Sequence, residues 1–241
     1  MDFTHILSLL VHSFLFTLAT LLPMLNPPAA APIYLSLTDG ASTEDRTRLA
    51  KQVSINIFIM LSVAMIAGNV VLNLFGISLP IVRLGGGLLV ISAAWNLVNS
   101  TDTDTSHAQK MASTYTWEQV KSKAFYPLTF PMLCGPGSIS AALTVGATLH
   151  VPRIIDTGTN LIGSLAGTAC AALAVYFCLR FASQFLYKLG TNGTAVLMRL
   201  SAFILLCLGV QIVWAGFQEL FIDLLHQASQ VTQHSARTTQ P

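Results

Sequence analysis

Two short frames place prolines and small residues inside otherwise apolar stretches: Pro23-Met24-Leu25-Asn26-Pro27-Pro28 and Pro131-Met132-Leu133-Cys134-Gly135-Pro136. Proline removes a backbone donor and clashes with the preceding turn. In lipid, such a break is tolerated only where protein or a wet cavity surrounds it. Pro27, Pro28 and Pro32 lie too close together for one continuous helix, so the chain should open at Asn26 and restart over Ala29 to Leu37. Pro127, Pro131, Gly135, Pro136 and Gly137 do the same in the second frame, with a restart at Ser138. A restarted helix presents unpaired N–H groups and the positive end of its dipole, which suit a carboxylate. The interrupted helix upstream leaves carbonyls that suit an ammonium group. Candidate solute contacts are Asn26, Pro27, Pro28 and Ala29 at the first break, and Thr129, Gly135, Pro136, Gly137 and Ser138 at the second. The hydroxyls of Thr129, Ser138 and Ser140 have a competing use, because they can satisfy the backbone groups that the prolines free.

Paired dipole ends without a fixed charge favour a small neutral zwitterion. The acidic residues agree: Asp2, Asp39, Glu44, Asp45, Asp102, Asp104, Glu118, Asp156, Glu219 and Asp223 fall in loops, termini or span ends. A carboxylate deep in a span would instead have suggested a proton relay or a cation site.

The elements that carry these breaks must be membrane helices. Of 241 residues, 53% are hydrophobic and 9% charged, against about a quarter charged in globular proteins. Mean hydropathy is +0.65. Apolar stretches run over Leu7–Leu37, Val53–Leu74, Leu79–Val98, Phe125–Leu149, Leu161–Phe185 and Val196–Leu220, the first and fourth being broken. Each intact stretch is near the roughly 20 residues needed to cross the hydrocarbon core. The expected fold is therefore all-α and integral to the membrane, with six transmembrane helices as two inverted three-helix repeats whose first and fourth helices are discontinuous. Matching breaks in two halves of a chain point to a transporter's binding site. The repeat has further support: each second span ends at a glycine turn, Phe75-Gly76-Ile77-Ser78 and Leu189-Gly190-Thr191-Asn192, and each third opens with Arg-Leu, at Arg83 and Arg199.

The first repeat covers 1–98, a Ser/Thr/Asp/Lys-rich cytoplasmic linker 99–123, the second repeat 124–226 and a polar tail, expected to be disordered, 227–241. Ile6–Leu22 reads as a retained span, since no Lys or Arg precedes it. With the amino terminus outside, Arg46, Arg48, Lys51, Lys110, Lys121, Lys123, Arg180, Lys188 and Arg199 all fall inside, while only Arg83, Arg153 and Arg237 stay outside. The positive-inside rule thus predicts both termini on the outer face, which is periplasmic in a Gram-negative cell.

The remaining reactive residues suggest no chemistry. The net charge of +2, with no basic stripe, argues against nucleic acid. Cys134, Cys170, Cys178 and Cys207 lack metal-ligand spacing and read as small buried hydrophobes. The six histidines are scattered. Gly85-Gly86-Gly87 lacks the Lys-Ser or Lys-Thr of a phosphate loop, and like Gly163 and Gly167 it reads as close helix packing. Asn56, Asn69, Asn73, Asn96 and Gln211 read as interhelical hydrogen-bonding groups, and Arg83 and Arg199 as snorkelling anchors, with a gate ion pair as the alternative. No catalytic constellation, metal or cofactor is expected. The lipid bilayer and a zwitterionic solute are the expected partners, with homo-oligomerisation left open.

At both breaks the sequence resembles the MarC family, the UPF0056-type six-helix bacterial inner-membrane proteins, a group that includes small neutral amino acid transporters. The resemblance lies in Leu21-Leu22-Pro23-Met24-Leu25-Asn26-Pro27, in Phe130-Pro131-Met132-Leu133-Cys134-Gly135-Pro136-Gly137, in Phe75-Gly76-Ile77-Ser78-Leu79-Pro80 with Arg83 and Gly86-Gly87, and in Gly209-Val210-Gln211. It implies an inverted repeat, an inner-membrane address and, in the transporter branch, alanine- or glycine-like substrates. Many members read Asn-Pro-x-Gly, whereas position 29 here is Ala, whose methyl narrows backbone approach to a ligand.

The function expected is a secondary transporter or exporter of small neutral amino acids, one half rocking against the other around the breaks. A membrane adaptor without transport and a passive channel are the alternatives. The adaptor predicts stability effects without solute movement, and the channel predicts conductance steps rather than saturable flux.

Overall fold

The computed structural model of the chain describes residues 3–38, 41–99, 124–149 and 153–238. Their order is α1 (Phe3–Leu25), α2 (Pro27–Leu37), α3 (Thr43–Leu74), α4 (Leu79–Asn99), a π-wound segment (Ala124–Leu133), α5 (Pro136–Thr148), α6 (Ile154–Arg180) and α7 (Ala182–Thr238). Five stretches are long and apolar enough to cross a membrane singly: Thr4–Leu35, Thr43–Gly68, Leu79–Val98, Ile155–Arg180 and Asn192–Leu225. The π-wound segment and α5 pass the same test only as a pair bent by 71°, the geometry of a broken span or a re-entrant loop. The protein is an all-α integral membrane protein. Large apolar side chains face outward, among them Ile59, Val63 and Val70 on α3 and Phe203, Val210 and Trp214 on α7. Such a surface is stable only in contact with lipid tails. The interior packs Leu21, Leu25, Tyr34, Ile57, Leu61, Leu133 and Val175 among small residues such as Ala31, Ala50 and Ala142.

The helix ends follow from local chemistry. α3 starts ten residues before the apolar stretch at Val53, because Ser42 caps it and accepts the Asp45 N–H at 3.1 Å. Glu44 and Asp45 in its first turn complement the helix dipole. It stops at Gly76, where φ is +67° and the Ile77 N–H donates to the Leu72 carbonyl and the Gly76 N–H to Asn73, the pattern of a Schellman cap. Gly190, its expected counterpart, also has φ +67° and kinks α7 near its start. The tail expected to be disordered from Gln227 continues α7 as helix through Thr238, since no proline or glycine interrupts it. The expected linker lies outside the described residues from 100 onward.

The two halves are interleaved. Apart from a brief contact between α6 and α7, every helix pair with substantial contact joins the first half to the second: α4 with α7, α1 with α6, α3 with α5 and α6, and α2 with α7. Glycines let these backbones close up. A Cβ at Gly163 would lie 2.7 Å from the Leu10 carbonyl oxygen, and one at Gly167 2.7 Å from that of Phe14, which explains the tight α1–α6 crossing. In α4–α7, a Cβ at Gly87 would stand 3.0 Å from the Gly209 carbonyl oxygen, and one at Gly209 3.2 Å from that of Gly87. Gly86 and Gly87 thus pack as expected, but Gly85 faces open space. Among the described residues the packing thus runs mainly between the halves rather than within either one.

Candidate solute site at the two helix breaks

Each break is written by its prolines. Proline disfavours the helical conformation in the residue before it. Tyr126 (φ −119°, ψ 124°) and Phe130 (φ −118°, ψ 131°), which precede Pro127 and Pro131, are accordingly extended inside the π-wound segment. Asn26, which precedes Pro27, takes φ +43°, a left-handed conformation that Asn tolerates better than most residues. Its carbonyl accepts from the N–H groups of Ala29 (3.1 Å) and Ala30 (3.3 Å), and so opens α2.

The restarts differ in what they offer a ligand. Both were expected to present free N–H groups, but α2 begins with Pro27 and Pro28, which have none, and its next two donors bind Asn26. The α2 end therefore offers the carboxamide of Asn26, half-buried and without a hydrogen-bond partner among the described residues. α5 has only Pro136 at its start, capped by extended Gly135. The Gly137 and Ser138 N–H groups there have no acceptor among the described residues, and Ile139 N–H makes the first bond, to the Gly135 carbonyl at 3.1 Å.

The breaks meet. In a continuous helix the Met24 carbonyl would accept from the residue four later, which is Pro28. The Ser138 hydroxyl stands in for that missing donor, 3.4 Å from the Met24 oxygen and 3.3 Å from that of Leu133. Having one proton, it can serve one carbonyl at a time. Thr129 is fully buried and likewise employed: it donates to the Ala124 carbonyl at 3.0 Å and accepts from Asn56 Nδ2 at 3.4 Å. Asn56 in turn accepts from Gln52 Nε2 at 3.1 Å, so it is the interhelical group expected.

Of the candidate residues, Asn26, Pro28, Gly135 and Pro136 keep some exposure, whereas Pro27, Ala29, Thr129, Gly137 and Ser138 are buried. Gly137 faces α4, where a Cβ would sit 2.0 Å from Val90 Cγ2. Its smallness serves packing.

Two cavities approach this junction from opposite ends of the bundle. One, of about 390 Å³, is lined by Phe16, Thr20, Met24, Arg83, Thr144 and Gln211, with Ala141 and α7 apolar residues between them. Met24, the residue bonded to Ser138, is part of its wall. The other, of about 470 Å³, is lined by Asp45, Arg48, Gln52, Asn56, Ala124 and Phe125 and reaches Asn56, the partner of Thr129. Both volumes lie in the lower part of the range for small-molecule sites, about 300–1,000 Å³.

The first cavity corrects two expectations. Arg83 does not snorkel: its Nη1 donates to Glu219 Oε2 and its Nε to Thr144 Oγ1 at 3.3 Å. Glu219 lies within the apolar span Asn192–Leu225, so the fixed charge of Arg83 on the cavity wall is matched by a carboxylate just outside the lining. Their sequence separation of 136 residues hides the pairing. An arginine inside an apolar run with one carboxylate in a later run was the available signal. Arg199 remains exposed. Of the cysteines, Cys134 is buried as expected, Cys170 and Cys178 are half-buried and Cys207 is exposed. Among the described residues no cluster of His, Cys, Asp or Glu could hold a metal.

Five apolar helices of membrane length, a bent pair that makes a sixth span if it crosses as one unit, and two proline breaks that meet define a polytopic helical membrane protein of the discontinuous-helix class. Residues 11–221 match the family described as MarC family integral membrane protein, and the chain belongs to that family. Its relatives include the UPF0056 inner membrane protein MarC of Salmonella paratyphi B, 27% identical over 205 residues, covering 84% of this chain and 93% of that one. The corresponding protein of Salmonella arizonae is 29% identical over 206 residues, with the same coverage of 84% and 93%. A UPF0056 membrane protein of Buchnera aphidicola is 28% identical over 207 residues, 86% of this chain and 92% of that one. No solved structure matches the chain significantly.

Proposed function

We propose that this protein is a secondary transporter or exporter of small neutral amino acids, seated in a bacterial inner membrane with both termini periplasmic. The observation that carries the reading is the bond between Ser138 and the Met24 carbonyl, which joins two proline breaks from opposite halves beside a cavity that Met24 lines. Around that junction stand the polar groups that packing leaves unmatched: the Asn26 carboxamide and the Gly137 and Ser138 N–H groups. A zwitterion supplies complements to all of them. One cavity is lined by Met24 at the junction and the other by Asn56, which bonds Thr129 of the second break, so access from either side needs an opening between them.

Because the halves interleave, the moving units are mixed pairs. α4 with α7 forms a cross-half frame locked by Gly87, Gly209 and Gly216, and the α1–α6 and α3–α5 pairs are arms that part at the Ser138 bond. The relatives' designation as inner membrane proteins supports the address. Nine basic residues on the inner side of the expected topology, against three outside, support the orientation.

The test is flux of radiolabelled alanine into proteoliposomes under H⁺, Na⁺ and no gradient. Saturable uptake, competed by glycine and not by cationic drugs, is expected. Asn26→Gly should lower it at least about tenfold, because glycine keeps the left-handed backbone and removes only the carboxamide. Absence of flux under every gradient, from protein shown to be folded, defeats the proposal and favours the adaptor reading.

A further inference from the structure

We propose that Arg83 and Glu219 read the two charges of the transported zwitterion, its carboxylate meeting Arg83 and its ammonium group meeting Glu219 in place of their mutual bond. This rests on the transport reading above and adds the residues that set charge selectivity. Arg83 lines the cavity that ends at Met24. Its side chain is 18% exposed and that of Glu219 44%, so the pair is withdrawn from bulk solvent but not sealed. A guanidinium carries five N–H donors, of which the described structure engages two, on Glu219 and Thr144. The other three have no acceptor among the described residues, and a carboxylate can take two of them side by side. Only one Glu219 oxygen is engaged, which leaves the other for an ammonium donor. Gln211, on the same wall, has no partner for its amide among the described residues and can bind either end of the solute.

The helices that carry the pair do not depend on it for their approach. Here α7 comes up to α4 through Gly216, where a Cβ would lie 2.8 Å from the Pro80 carbonyl oxygen and 3.1 Å from Arg83 Cβ. The backbones are therefore fixed by glycine contact, and the ion pair is free to exchange partners without separating the helices. Selectivity follows from charge balance. In low-dielectric surroundings, separating the pair leaves two charges uncompensated unless the guest brings both complements. A zwitterion does so. A net cation or a net anion matches one member and strands the other.

The experiment is a binding series on the purified full-length protein, with three probes that share the alanine skeleton and differ in charge. L-alanine carries both charges, L-alaninamide only the positive one and N-acetyl-L-alanine only the negative one. Competition against radiolabelled alanine should rank alanine at least about tenfold above both analogues. Glu219→Gln should shift preference toward N-acetylalanine, and Arg83→Gln toward alaninamide. That crossed pattern does not arise from general loss of packing. If the wild-type protein binds alanine and alaninamide equally, or the folded variants leave the ranking unchanged, the assignment of the pair is overturned while the transport reading stands. If none of the three binds, both fall. Should neither variant fold, the wild-type ranking alone decides.

Discussion

Replacing Ser138 with alanine removes the one side chain that joins the breaks and leaves the surrounding packing intact, since alanine fills all but the hydroxyl. The magnitude follows from the geometry. The hydroxyl has one proton and two acceptors, at 3.3 and 3.4 Å, so the change costs one hydrogen bond and leaves no more than one additional carbonyl without a donor. A buried unsatisfied acceptor costs about 1–3 kcal/mol, whereas interhelical hydrogen bonds in membranes average nearer 0.6 kcal/mol. The long distances place Ser138 toward the lower end, about 1 kcal/mol. If the bond exists only where the breaks are joined, the same loss shifts the conformational balance about fivefold toward the parted state. Unfolding free energy of the purified protein, measured against Ser92→Ala on the exposed face of α4, reads the first quantity. Accessibility of a cysteine placed at Ala141, in a background free of native cysteines, reads the second. Stability equal to that of Ser92→Ala, with unchanged cysteine accessibility, would refute the idea that this hydroxyl holds the breaks together.

The remaining predictions rest on equally local geometry. Gly146→Ala puts a methyl 2.1 Å from the Met65 carbonyl oxygen and should destabilise the protein by about 1–3 kcal/mol through overpacking. Gly85→Ala, with nothing within 4 Å, should be neutral or stabilising by up to about 1 kcal/mol; thermal unfolding in detergent compares the two, and equal midpoints would contradict the α3–α5 crossing. Asn26→Leu should lose about 1–2 kcal/mol of stability relative to Asn26→Gly, because a branched side chain at φ +43° is strained, while both lose alanine flux. A cysteine cross-link between α1 and α6, at Ser13 and Asn160, whose side chains already meet at 2.9 Å, should leave flux largely intact, whereas one between α1 and α5, at Met24 and Ser138, should abolish it. The reverse result in the proteoliposome assay would show that the arms are assigned wrongly.

How far the sequence revealed this arrangement depends on the range of each interaction. The breaks were legible because proline acts on its immediate neighbours: Tyr126, Phe130 and Asn26 leave the helical region for a reason readable in the next residue. The glycine turns at Gly76 and Gly190 were legible on the same ground, and they share φ +67°. The two restarts look alike as motifs yet differ as ligands, since Pro27 and Pro28 remove the donors that a helix amino terminus ordinarily offers. That followed from the residue types and was missed by treating the frames as equivalent. The Arg83–Glu219 pair and the interleaving of the halves depend on contacts across more than a hundred residues, which local patterns do not encode.

Interleaving bears directly on what can move. When each repeat forms its own bundle, a transporter can tilt one repeat as a rigid body against the other. Here the closest crossings, α1 with α6 and α4 with α7, join opposite repeats through glycines set against main-chain atoms. Separating them would forfeit many close contacts at once. The junction of the breaks has side-chain packing on α1 and α4 together with one hydroxyl shared between two carbonyls, and no glycine there is set against the main chain of α1. On the transport reading, opening is therefore predicted at Ser138 and Met24 rather than at the glycine-locked crossings, which the two cross-links above distinguish.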